Sequence, residues 1–129
     1  MARFAGTVVH GNGRGKKLGF PTANLDVDTR AVADGVYVAW VRIGGAEWMP
    51  ATVSVGDNPT FRNVEARRME CHVHGLDHDI YGERIEVEIV ALLRRMIAFV
   101  GADQLIEQTA RDVRASAAVL ASARPPAAG

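Results

Sequence analysis

Gly35-Val36-Tyr37-Val38-Ala39-Trp40-Val41-Arg42-Ile43, followed by Gly44-Gly45 and then by Trp48 through Val55, decides the fold. Two runs rich in β-branched and aromatic residues flank a glycine pair suited to a tight hairpin turn, so residues 35–55 read as two strands of an antiparallel sheet. Outward from this hairpin, Gly, Pro, Asn and Asp cut the chain into short β-type runs up to about residue 95. The spans 6–10, 21–25, 67–74 and 84–93 bring the expected total to six strands. Consecutive strands without alternating helices argue against a Rossmann-type fold, and six short strands leave fewer exposed edges when closed into a barrel. After Phe99 the texture changes: Asp103 is suited to cap a helix in which Leu105, Ile106, Thr109 and Val113 recur at near-helical spacing. One C-terminal helix is therefore expected, with Leu105, Ile106 and Phe99 packed on the barrel. The domain is expected to span 1–114. From Ala115 the alanine-rich stretch, which runs into Pro125-Pro126, is expected to extend the helix briefly and then become a disordered, solvated tail.

With 129 residues and 48% hydrophobic content, the chain can bury one core but is short for two. Its 15 basic and 15 acidic side chains cancel, so no overall field draws it to nucleic acid or an anionic membrane. No run approaches the length of about 20 apolar residues needed to span a bilayer, and no signal-peptide core follows Met1-Ala2-Arg3-Phe4. A soluble, cytoplasmic protein is expected. The single cysteine, Cys71, can build no internal disulfide, which suits a reducing compartment.

Three segments could carry chemistry. In Gly11-Asn12-Gly13-Arg14-Gly15-Lys16-Lys17-Leu18-Gly19, glycines free the backbone amides to face an anion and the cations add charge for a polyphosphate. The spacing matches neither the P-loop nor the dinucleotide pattern, and a basic surface loop is the alternative. In Phe20-Pro21-Thr22-Ala23-Asn24, the side chains of Thr22 and Asn24 project from one face of an extended chain. Their oxygens are hard neutral ligands suited to Mg²⁺ anchored by nucleotide phosphates; the alternative is an ordinary strand start. In Met69-Glu70-Cys71-His72-Val73-His74, the side chains of Glu70, His72 and His74 share one strand face. Glu70 could act as a general base, the three could form a metal triad, or the face could simply be solvated. The triad is strained, because residues along one strand spread too far to chelate one ion at about 2 Å each. Asp57-Asn58-Pro59-Thr60 and Asp77-His78-Asp79 read as turns, and Arg94-Arg95 ends the last strand where a cation could meet a phosphate or stay solvated.

Taken in order from about Gly6 to Asp112, the chain resembles the riboflavin kinase family. The resemblance is carried by Gly6-Thr7-Val8-Val9-His10-Gly11, Arg14-Gly15, Leu18-Gly19-Phe20-Pro21-Thr22-Ala23-Asn24-Leu25 and Gly35-Val36-Tyr37, then by Val55-Gly56-Asp57-Asn58-Pro59-Thr60-Phe61, Glu70, Tyr81-Gly82-Glu83, Leu93-Arg94 and Phe99. It implies a six-stranded antiparallel Greek-key barrel with a C-terminal helix, and an enzyme that moves the γ-phosphate of ATP to the 5′-hydroxyl of riboflavin, giving FMN and ADP. By resemblance Glu70 is the catalytic base, Thr22 and Asn24 hold Mg²⁺ and phosphate oxygens, and Gly11, Gly13, Arg14, Gly15, Lys16 and Lys17 form a loop over the nucleotide. Val73, His74 and Tyr81 match the nucleotide-lining region, and Arg94 and Phe99 match the segment that closes over the flavin. The stretch Arg94-Arg95-Met96-Ile97-Ala98-Phe99 departs from the family pattern, which carries more charge there.

The resemblance fits a standalone monomer or one domain of a bifunctional enzyme that also makes FAD, and it implies no nucleic-acid or membrane partner. The rival readings are a flavin- or nucleotide-binding barrel without turnover, which would have no need of a base at Glu70, and a zinc-binding structural domain using His72, His74 and His78.

Overall fold

A computed structural model describes residues 2–10, 21–56, 68–97 and 99–127. The strands are β1 (Arg3–Val9), β2 (Ala23–Leu25), β3 (Gly35–Ile43), β4 (Trp48–Gly56), β5 (Arg68–Val73) and β6 (Arg84–Arg94), and the helix α1 (Ala102–Ala121) follows them. They close into a barrel in the order β1-β2-β5-β4-β3-β6. Strand β6 returns to pair with β3 after the β3-β4-β5 meander, which is the Greek-key connection the resemblance implied. Each neighbouring pair is antiparallel.

Alternation along the strands fills the interior. Val53 and Val55 of β4, Met69 and Cys71 of β5, and Ile85, Val87 and Ile89 of β6 point inward and are almost wholly buried. Strand β3 differs, because its other face is covered too. Val38 and Trp40 lie outside the barrel against Leu120 of α1, forming a second small core with Trp48, Val90 and Leu93. Burial on both faces is why residues 36–41 read as a nearly continuous apolar run.

The helix departs from expectation in three respects. Its N-cap is Gly101, with no side-chain cap; Asp103 sits in the first turn, and Gln104 Oε1 instead accepts from the Val100 N–H at 3.1 Å. It continues past residue 114 to Ala121, farther into the alanine-rich stretch than the brief extension expected. Its buried stripe is Asp112, Ser116 and Leu120, spaced i, i+4, i+8, whereas Ile106 is exposed. The stripe is polar because the barrel offers polar partners. Arg94 of β6 makes a two-pronged ion pair with Asp112 at 2.9 and 2.8 Å, and Gln108 donates to the same carboxylate at 3.0 Å. Thr52 of β4 donates its hydroxyl proton to Ser116 Oγ at 2.9 Å and lies 2.8 Å from His74 Nε2, so Thr52 Oγ1 accepts the Nε2 proton.

Asp112→Ala leaves the Arg94 guanidinium, whose side chain is 18% exposed, without its partner, and should lower unfolding free energy by about 2 kcal/mol in a urea titration. Burial, and secondarily the nearby His72, depress the His74 pKa below its usual 6.5, so unfolded chains bind more protons than folded ones as the solution becomes acidic. This contribution to stability is complete above 6.5 and declines as pH falls from 6.5 through the depressed value. Urea midpoints measured across that range should fall with pH, and His74→Gln should flatten the slope; an unchanged slope would remove His74 as its source.

Candidate active site

Strand β2 is three residues long and lies between β1 and β5. Ala23 and Leu25 turn into the interior core, which sends Asn24 to the outer face. Asn24 is 6% exposed, yet its Oδ1 has no hydrogen-bond partner among the described residues. An unpaired buried acceptor costs about 1–3 kcal/mol, and such an oxygen marks a place for a ligand that can use it. Magnesium is a ligand of the right chemistry, because it prefers oxygen donors and tolerates neutral ones when phosphates supply the charge. Thr22 is exposed two residues earlier, and its hydroxyl can share the same side of the chain.

The acid stands beside this pair. Glu70 of β5 is the direct register partner of Asn24. Paired residues in an antiparallel ladder have Cα atoms about 4.5–5.5 Å apart and side chains on one face, so the half-buried carboxylate and the orphaned amide oxygen are neighbours on the outer wall. The row continues around the barrel. Glu70 pairs with Ser54 of β4, Ser54 with Val36 of β3, and Val36 with Arg94 of β6. At about 4.8 Å per strand, the four steps from Asn24 to Arg94 span roughly 19 Å along a curved surface.

The other residues of the same face are already engaged. His72 Nδ1 lies 2.9 Å from the Pro21 carbonyl, and His74 bonds Thr52. Among the described residues no group of three or more His, Cys, Asp or Glu could hold a metal ion, which corrects the zinc reading of His72, His74 and His78. Cys71 faces inward between them, and burial, with help from the Glu70 charge, pushes its thiol up to about 12. A thiol in that state is an inert filler.

A cleft of about 350 Å³ opens where β1, β2 and β5 meet the segment leading into β6. Of the expected nucleotide residues it gathers Thr22, Asn24, Val73 and Tyr81 into its lining. His74 is not in that lining, because it faces α1 through Thr52. Glu70 is also outside it, so Asn24 is the residue that belongs both to the cleft and to the acid's row. The expected loop residues Gly11, Gly13, Arg14, Gly15, Lys16 and Lys17, like Asp57-Asn58-Pro59-Thr60, lie outside the described residues. His10 was given no site role from sequence, yet its ring stacks on Tyr81 at 3.6 Å with a 15° interplanar angle at the cleft's edge. An isolated histidine at a strand end carries no signal that its partner is an aromatic ring 71 residues away. Asp77 and Asp79 were read only as turn residues; Asp79 does accept the Tyr81 N–H at 2.9 Å, but both also line the cleft.

At the far end of the row, Arg94 and Phe99 come together, with the guanidinium carbon 6.0 Å from the ring centroid. The Arg94 charge is largely committed to Asp112, so this end offers an oriented cation–aromatic surface rather than a free phosphate hook.

The family model for riboflavin kinase, Flavokinase, matches residues 1–120. Mouse riboflavin kinase is 38% identical over 115 residues, covering 84% of this chain and 74% of the mouse protein. A Streptococcus pneumoniae chain described as a macrolide-efflux protein is 38% identical, with TM-score 0.78, over 89% of this chain and 38% of that one. Riboflavin kinase from Trypanosoma brucei has the same fold at 23% identity, with TM-score 0.72, over 94% of this chain and 80% of that one. Matching bifunctional riboflavin kinase/FMN adenylyltransferases are longer, and this chain spans about a third of their length. No helix among the described residues is long and apolar enough to cross a membrane. A matched family model over nearly the whole chain, and a relative covered across most of its length, make this chain a member of the riboflavin kinase family of enzymes.

Proposed function

We propose that the chain transfers the γ-phosphate of ATP to the 5′-hydroxyl of riboflavin, with Glu70 as the general base. The observation that carries this reading is the direct pairing of Glu70 with Asn24, whose buried Oδ1 is unsatisfied at the edge of the cleft. Thr22 and Asn24 would hold Mg²⁺ through their side-chain oxygens. When bound with ATP, magnesium neutralises charge on the phosphoryl oxygens.

The residues of this chain divide the remaining work. Val73 and Tyr81 give the cleft an apolar and aromatic wall for the nucleotide. Glu70, one strand away from Asn24, takes the proton from the ribityl hydroxyl as its oxygen turns toward the terminal phosphorus. Ser54, with the buried Val36 beside it, continues the row toward Arg94 and Phe99, and the span of that row suits an extended flavin lying across it. Phe99 supplies ring surface there, and Arg94, steered by Asp112, supplies the cation. The glycine-rich segment with Arg14, Lys16 and Lys17 belongs to the same proposal as a phosphate-covering loop, supported by its composition and its place in the chain between β1 and β2. A cytoplasmic setting, where ATP is at hand, completes the reading.

Purified protein should release ADP from Mg·ATP only when riboflavin is added, and the product should co-migrate with FMN. Glu70→Gln should lower turnover by about 10² to 10⁴, the range for loss of a general base, while nucleotide binding measured by calorimetry stays near wild type. Turnover close to wild type in that variant would take the base role away from Glu70, and ATP consumption independent of riboflavin would take away the reaction.

A further inference from the structure

The ladder between β2 and β5 ends at Ala23, whose partner is Cys71. One further step would set Thr22 opposite His72, yet Thr22 lies beyond the strand. Pro21 and Thr22 are both exposed, whereas Ala23, Asn24 and Leu25 are buried, so packing cannot hold the two residues that precede the strand. A side chain does so instead: His72 Nδ1 is 2.9 Å from the Pro21 carbonyl oxygen. A carbonyl only accepts, so the proton sits on Nδ1.

The chemistry of that bond makes it directional. Pro21 has no N–H, which leaves its carbonyl as the main-chain group through which this peptide can be tied. The carbonyl belongs to the rigid plane that also contains the Thr22 nitrogen and leads to the Thr22 Cα, so clamping the oxygen sets the plane from which the Thr22 side chain departs. The ring is itself placed by β5, on the outer face between Glu70 and His74, with its centroid 5.8 Å from that of His74.

We propose that His72 is a positioning residue: through the Pro21 carbonyl it holds the Thr22 hydroxyl in place for the metal-bound triphosphate. This rests on the kinase reading for what Thr22 does. Asn24 needs no such help, because the ladder and the core on either side of it already fix its backbone. His72 therefore acts on one of the two proposed oxygen ligands and leaves the other alone.

Two amide substitutions separate this role from general stability. In His72→Asn the side-chain amide nitrogen falls close to the place of Nδ1 and can still donate, whereas in His72→Gln it lies one bond farther out, near the place of Nε2. His72→Gln should weaken binding of Mg²⁺ with a non-hydrolysable ATP analogue, read by calorimetry, by about 3- to 10-fold, the worth of one ordinary hydrogen bond. KM for Mg·ATP should rise by a similar factor while KM for riboflavin stays at the wild-type value, and His72→Asn should recover most of the loss. In a Thr22→Ala background His72→Gln should add nothing, because the group it positions is gone. Wild-type affinity in His72→Gln, equal losses in both amide variants, or losses that add to that of Thr22→Ala would each overturn the proposal. Wild-type protein that binds the Mg-nucleotide without phosphorylating riboflavin would defeat the kinase reading alone, since the binding comparison still reports on His72; wild-type protein that binds no Mg-nucleotide would defeat both.

Discussion

The structure depends on the register of a three-residue strand. Asn24 faces outward beside Glu70 only because Ala23 and Leu25 are locked into the core on either side of it. Side chains alternate with a period of two, so a slip of one residue would bury the amide in the apolar interior and set Glu70 opposite a different neighbour. Val8 and Val9 of β1 hold the other edge through pairs with Leu25 and Asn24. A strand this short has little ladder of its own, and its place is guaranteed by core packing from both flanks and, just before it begins, by the His72 bond to Pro21.

A filled barrel dictates where the chemistry can go. Met69, Ile85, Ile89 and the valines around them leave the interior no room for substrates, so the site lies on the wall and at one end. The outer wall is shared with α1, which is held at Thr52 of one row and at Arg94 of the other. Asn24, Glu70, Ser54, Val36 and Arg94 form one row; Thr52 and His72 form the next, and Thr52 is taken by Ser116. At the end of the first row the helix residue Asp112 fixes the Arg94 side chain. Helix and row are thus coupled through one guanidinium.

Much of this was legible in the residues. The 35–55 hairpin, the six strands and the barrel followed from β-branched runs punctuated by turn residues, and Gly35–Ile43 was delimited as found. Thr22, Asn24 and Glu70 stood out as polar groups at positions two apart on extended chain, but their meeting across a ladder is a long-range fact that no local pattern carries. The C-terminal helix was legible too, but its buried face was misjudged for a related reason. Its buried face is polar, with Asp112 and Ser116 answering Arg94 and Thr52, and a search for apolar periodicity selects Leu105 and Ile106 instead. The cap was misplaced because Gly101 begins the helix without a side-chain oxygen, the feature by which caps are recognised. His10 on Tyr81 and His72 on Pro21 are single contacts between residues 71 and 51 apart in sequence, visible only once the barrel has closed.

The most direct test of the site is a crystal structure of the complex with riboflavin, Mg²⁺ and a non-hydrolysable ATP analogue. A Glu70 carboxylate oxygen should lie about 2.6–3.2 Å from the ribityl 5′-oxygen, with Asn24 Oδ1 turned toward the metal on the other side of it. A flavin hydroxyl bound out of reach of Glu70, or a metal held without Asn24 and Thr22, would contradict the arrangement.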